Sequence, residues 1–150
     1  MKRFVLRSAV LVAALAIALP AVAGEKGTPA EAQALLDKAV KAVEKDGTTK
    51  ALAAFNDPKG GYQDRDLYVF CDGPDGKITA HRDASMIGKD LATLKDADGK
   101  EIGKEMLAIS KKGSGSLEYR WPNPVSNKVE TKVSYLKKAG DQTCGVGAYK

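Results

Sequence analysis

The sequence is poor in the residues that catalysis and metal binding draw on most. It has one histidine (His81), one tryptophan (Trp121) and two cysteines (Cys71 and Cys144) in 150 residues. A single histidine argues against a zinc site of ordinary spacing. The cysteines are far apart and form no C-x-x-C, which excludes thioredoxin-type redox chemistry and c-type haem attachment. There is no internal repeat, no low-complexity tract, and no long apolar run beyond the first 23 residues. Two acidic turns, "DGPDG" (72–76) and "DADGKE" (96–101), lack the distant bidentate glutamate of a calcium loop and read as plain turns. No cofactor is expected.

The start of the chain has a different character. Lys2, Arg3 and Arg7 precede an apolar core from Ser8 to Leu19, and Ala21, Val22 and Ala23 form a small-residue cleavage site. This is the layout of a secretory signal peptide over residues 1–23. The apolar run is shorter than the ~20 residues of a spanning helix, so cleavage after Ala23 is expected, with no stable membrane insertion afterwards. No cysteine stands at the junction to carry a lipid. Residues 24–150 are then a single domain of ordinary size. The leader holds three of the 24 basic residues and none of the 19 acidic ones, so the mature charge is +2 instead of +5. That removes the main support for nucleic-acid binding, which needs a concentrated basic surface. Export also takes the two cysteines into an oxidising compartment, where an even number pairs as a disulfide.

Local patterns order the rest. "TPAE" (28–31) is a capping box with proline at the first helical position. Leu35, Leu36, Ala39, Val40 and Val43 continue at helical spacing until Asp46 and Gly47. A short second helix is expected from Thr49 to Phe55. "DLYVFCDGPDGKITAH" (66–81) reads as a strand, a turn and a second strand. Residues 82–99 are irregular, and "KEIGKEMLAISKKG" (100–113) is a helix stopped by Gly113. Three strands follow, over residues 114–121, 129–138 and 142–149. Helices, a hairpin, a helical crossover and a meander give an α+β domain on an antiparallel sheet of about five strands. Placing the first hairpin beside the last strand would bring Cys71 and Cys144 together.

Recognition side chains concentrate on "YRWPNPVSNK" (119–128). With Ser126 and Asn127 as a two-residue turn, Trp121 falls opposite Lys132 and Tyr119 opposite Ser134. These four share one face, while Arg120 and Tyr135 point to the other. The four suit a pocket wall: two aromatics for shape, an ammonium for an anion, a hydroxyl for orientation. Equally, the first helix could cover that face with Lys132 snorkelling at its edge. His81 ends the second strand beside Arg82 and Asp83 and is a weaker ligand contact. A thiol enzyme would pair Cys71 with His81, but no third orienting group is evident and Cys71 has a disulfide partner. The expectation is a protein that is not an enzyme.

The chain from about Leu35 to Lys150 resembles the single Cache type 2 group of extracytoplasmic sensor domains. The resemblance is carried by "DLYVFCDGPDGKITAH", "MIGKDLATLKDADGKEIGKEML", "YRWPNPVSNKVETKVSYLKK" and "CGVGAYK". It implies a PAS-like fold, with a long N-terminal helix on a central antiparallel sheet. It also implies a pocket for a small metabolite, often a short organic acid, in chemoreceptors and sensor kinases. The pocket maps to Tyr119, Trp121 and Lys132, with His81 and Tyr68 beside them. Such sensors usually continue into a transmembrane helix and a signalling domain, and this sequence ends at Lys150. The expectation is therefore a free-standing periplasmic member that binds a carboxylate and presents it to a membrane chemoreceptor or sensor kinase. The alternative is a protein-interaction subunit with a vestigial pocket.

The leader reading makes one direct prediction. Mass spectrometry of the periplasmic protein should find a chain that begins at or near Gly24. Recovery of the full-length chain in the membrane fraction would overturn it.

Overall fold

The computed structural model describes residues 26–150, so the expected leader and its cleavage junction lie outside the described residues. Helix α1 (Pro29–Asp46) begins where the capping box places it. The Thr28 hydroxyl accepts from the Glu31 backbone N–H, and the Glu31 carboxylate accepts from the N–H of Thr28. Two orphan donors of the first turn are satisfied reciprocally. Gly47, at φ +83°, ends α1 and leads into α2 (Thr48–Asn56). A third helix, α3 (Ile102–Lys112), stops at Gly113 in the left-handed region.

Six antiparallel strands form the sheet: β1 (Gln63–Asp64), β2 (Leu67–Asp72), β3 (Ile78–Ala80), β4 (Ser114–Pro122), β5 (Val129–Ala139) and β6 (Gln142–Tyr149). The two-residue β1 is the strand that hydrophobic periodicity misses. The order is β1-β2-β6-β5-β4, with β3 also paired to β2. The last strand therefore inserts beside the first hairpin, and Cys71 lies directly across from Cys144. The two are joined in a disulfide.

Strands β2 and β6 are buried on both faces, so the sheet separates two apolar layers. On one face Ala32, Leu36, Ala39 and Val43 of α1 pack over Val69, Cys71, Cys144, Val146 and Ala148, with Tyr135 half-buried beside them. On the other face Ile102 and Met106 of α3, with Met86 and Leu91 from two 3-10 turns, pack over Leu117, Tyr119 and Leu136. Arg120 is exposed, and Tyr135 faces α1, as the alternation of β4 and β5 requires. The α1 layer is thus on the side opposite Tyr119 and Lys132. This overturns the reading in which α1 covers Lys132: that side chain is fully buried and does not snorkel to an edge.

The β4–β5 turn differs from the two-residue expectation. Pro122 pairs with Val129, and residues 123–128 form a longer loop. The Asn123 carboxamide oxygen accepts from the N–H groups of Val125 and Ser126, and its backbone N–H donates to Lys128 O. Proline at 122 and 124 supplies no donors, so the asparagine between them organises the turn through its side chain. The register moves by two residues. Tyr119 lies across from Lys132, Trp121 from Glu130, and Leu117 from Ser134. An even shift keeps every side chain on its face, so the expected grouping survives although its cross-strand pairs change. The disulfide staples central strands 73 residues apart in sequence, for which a loop of that size contributes ~2–4 kcal/mol. Unfolding of the Cys71→Ala/Cys144→Ala protein should show a stability loss of that order. Titration of the denatured, unreduced wild type should find no free thiol, and two free thiols per chain would sink the assignment.

Candidate functional site

The centre of the α3-side face is built from three rows of cross-strand neighbours. One runs Tyr149, Lys132, Tyr119; the next Gly147, Ser134, Leu117; the third Phe70, Gly145, Leu136, Gly115. The two glycines of "CGVGAY" make a trough down β6. A Cβ on Gly147 would stand 2.2 Å from Lys132 Cε and 2.4 Å from Ser134 Oγ. A Cβ on Gly145 would stand 2.4 Å from the tip of the Phe70 ring. Only glycine allows the lysine stem and the phenyl ring to lie flat on the sheet here.

Laid in this trough, the amine of Lys132 ends in an aromatic box. Its Nζ is 4.0 Å from the Tyr68 ring centroid, 5.0 Å from that of Tyr149 and 5.7 Å from that of Phe70. These faces attract a cation, but none accepts a conventional hydrogen bond. Among the described residues, Nζ is the one buried side-chain nitrogen or oxygen without a hydrogen-bond partner. The anion that acts on it, Asp66, is itself buried, and both its oxygens are engaged: Gly27 N–H donates to Oδ1 at 2.7 Å and Asn123 Nδ2 to Oδ2 at 3.1 Å. Burial pulls the Lys132 amine down to about 7, against a smaller opposing pull from Asp66.

The other expected residues surround this amine. The Tyr119 and Ser134 hydroxyls are hydrogen-bonded at 2.8 Å, and the Tyr119 ring meets Trp121 edge-on at 5.9 Å. Tyr68 meets the His81 ring edge-on at 5.1 Å. Burial, and then the proximity of Lys132, lower His81 to about 4. Its Nδ1 accepts from Asp83 N–H at 2.9 Å, which leaves the proton of the neutral ring on Nε2. The phenols of Tyr68, Tyr119 and Tyr149 are all pushed upward, by burial first.

Two cavities meet at Tyr68, His81 and Trp121. The outer one is a cleft of about 410 Å³, bounded also by Met86, Asn123 and Pro124. The inner one, reaching Phe70, Ile102, Met106 and Tyr119, is about 20 Å³, space for roughly one water. Tyr68, His81, Tyr119 and Trp121 therefore line open space. Lys132 and Ser134 line neither cavity: the Lys132 amine lies against the Tyr68 ring, and Ser134 against the Tyr119 hydroxyl. Sequence reasoning missed Phe70, Tyr149, Asp66 and Asn123. The glycine alternation in β6 was the available signal, since it marks where large side chains from β2 and β5 must cross.

The Cys71 thiol of the Cys71–His81 enzyme reading is not available as a nucleophile, since Cys71 is half of the disulfide and faces α1. The "DADGKE" turn is structural. Asp96 accepts from the backbone N–H groups of Asp98, Lys100 and Arg120, which consumes its carboxylate.

Residues 9–149 match the family model of the single Cache domain 2. The structure resembles that of a methyl-accepting chemotaxis protein from Vibrio parahaemolyticus, with a TM-score of 0.68 and 26% identity, covering 80% of this chain and 86% of that one. It also shares its fold with a Cache chemosensory domain solved to explain carboxylic acid recognition, with a TM-score of 0.58 and 24% identity, covering 78% of this chain and 84% of that one. In sequence it is 29% identical over 90 residues to the methyl-accepting chemotaxis protein McpP of Pseudomonas putida, covering 57% of this chain and 16% of that protein. Over 73 residues it is 30% identical to the sensor histidine kinase MctS of Rhizobium johnstonii, covering 48% of this chain and 16% of that protein. The chain thus spans about a sixth of the length of these curated relatives. Fold and family match agree, and the chain belongs to the single Cache domain 2 family of extracytoplasmic, ligand-binding sensor domains.

Proposed function

We propose that the domain reversibly binds a short organic acid in the periplasm, with Lys132 as the counter-ion of its carboxylate. One observation carries this reading: a fully buried amine with no acceptor, beneath a cleft. Burying an unpaired ammonium costs several kcal/mol, and an arriving carboxylate would offset that cost. The surrounding walls suit such a ligand. Tyr119 and Trp121 give apolar shape, one hydroxyl of the hydrogen-bonded Ser134–Tyr119 pair and His81 Nε2–H can donate, and Tyr68 stands between cleft and amine. The ligand enters from the cleft past His81 and Trp121, and the Tyr68 ring moves off Nζ as the carboxylate arrives. The carboxylic acid recognised by one Cache domain of the same fold is consistent with this chemistry. Presentation of the bound acid to a membrane chemoreceptor or sensor kinase is the role that fits the chemotaxis and kinase relatives.

A thermal-shift screen of acetate, propionate, pyruvate and related small acids tests the reading. A ligand at 100 times its dissociation constant stabilises by ~2.7 kcal/mol. No response to any acid would instead favour a protein-interaction module with a closed, vestigial pocket. Lys132→Met keeps the stem and removes the charge. A hydrogen bond to a charged group contributes ~1.5–3 kcal/mol, so affinity by calorimetry should fall roughly ten- to hundredfold with the fold intact. Lys138→Met, on the same alternation but exposed near the strand end, should bind as wild type does. Gly147→Ala should also weaken binding, because its methyl group takes the space of the lysine stem. Unchanged affinity in Lys132→Met would remove the lysine from the site.

A further inference from the structure

The arrangement around Lys132 bears on what enters the site along with the acid, and this inference rests on the carboxylate reading above. We propose that the site takes up its acid as an electroneutral pair: the carboxylate, together with the proton that charges Lys132. In the free domain no anion or hydrogen-bond acceptor within the box pairs with an ammonium. Nζ is fully buried, has no acceptor, and is closed off by the rings of Tyr68, Phe70 and Tyr149. The carboxylate of Asp66 is committed to Gly27 and Asn123. An uncharged amine is the cheaper occupant of such a box. Once a carboxylate lies against Nζ, the charged form gains a partner and the amine takes a proton: R–NH2 + H+ + R′–COO− gives the R–NH3+ · −OOC–R′ pair. The site then gains no net charge on binding. An acid with a second negative charge would leave that charge buried without a counter-ion.

The other titratable groups facing Nζ do not change charge between pH 7 and 9.5. Tyr68 from β2, Tyr149 from β6 and Tyr119 from β4 are all shifted upward by burial. His81, after β3, is lowered to about 4 and is neutral throughout. The Arg82 guanidinium donates away from the box to Arg65 O. On the far side of the same face, Asp72 is pushed up to about 6 by burial and is ionised above pH 7. Lys132, lowered to about 7, is the group that titrates in this window.

The sign follows from that downward shift. Between about 7 and the ordinary lysine value of ~10.4 the unfolded chain binds the proton and the free folded domain does not, so stability rises with pH. For binding the direction reverses. Above pH 7 each acid must bring a proton, and affinity falls about tenfold per pH unit.

Calorimetry of propionate at pH 8, in two buffers of different ionisation enthalpy, reads the proton directly. The expected uptake is about 0.9 proton per propionate at pH 8 and about 0.5 at pH 7, as follows from an amine titrating at about 7. Lys132→Met should bind more weakly and with no uptake. Without ligand, the melting temperature of wild type should climb between pH 7 and 9.5, whereas that of Lys132→Met should be flat and higher at pH 7. Propionate binding with no proton uptake overturns this inference and leaves the carboxylate reading standing. A flat wild-type stability profile overturns it as well. If acetate, propionate and pyruvate all fail to bind, both readings fall.

Discussion

Lys132 crosses the middle of the sheet with its whole side chain excluded from water, and much of the surrounding structure follows from accommodating it. The stem can lie flat only because Gly147 has no side chain. With the stem flat, the amine falls among Tyr68, Phe70 and Tyr149 instead of reaching an edge. The same bare strand lets Phe70 lean across Gly145. A strand with two glycines on one face is weak by itself. The opposite face of β6 compensates, because Cys144, Val146 and Ala148 are sealed under α1 and Cys144 is bonded to Cys71. One strand thus carries a stability face and a site face, divided by its alternation.

The polar chain beside the box ties three segments distant in sequence. Asn123 organises the β4–β5 turn with its carbonyl oxygen and, through its amide nitrogen, reaches both Asp66 and Glu130. Asp66 also holds the backbone N–H of Gly27, one residue before the cap of α1. Lys26, in the short segment that precedes α1, pairs with Glu130. The mouth of the cleft and the start of α1 are therefore joined through two buried side chains, in addition to their separate attachments to the sheet. The Tyr149 hydroxyl donates to Pro122 O and fixes the hairpin end from the far strand.

The fold was largely legible because it is written in local signals. The capping box, the glycine stops and the period-two runs act over a few residues, and none is contradicted by long-range packing. One adjacency was legible as well, because placing the first hairpin beside the last strand brings Cys71 and Cys144 together, and β2 does pair with β6. The hairpin register was less legible. Alternation fixes which residues share a face but is blind to shifts of two, and the turn was set by the side chain of Asn123, not by Ser126 and Asn127. The short β1 carries too few residues for any periodicity.

The depth of Lys132 was the least legible feature, and the reason is physical. A lysine in a strand is ordinarily a surface residue, and its sequence neighbours Thr131 and Val133 say nothing to the contrary. Its burial is decided by Gly147, on the neighbouring strand, and by Tyr68 and Tyr149 closing over it. Each of these residues is unremarkable alone. Tyr68 belongs to a buried strand, Tyr149 to the chain end, and the glycines to a strand that needs a close approach. Their conjunction requires the register of β2, β6 and β5 together. The chemistry of a buried amine with no hydrogen-bond acceptor is thus a property of tertiary structure, resting on strands that the sequence specifies one at a time.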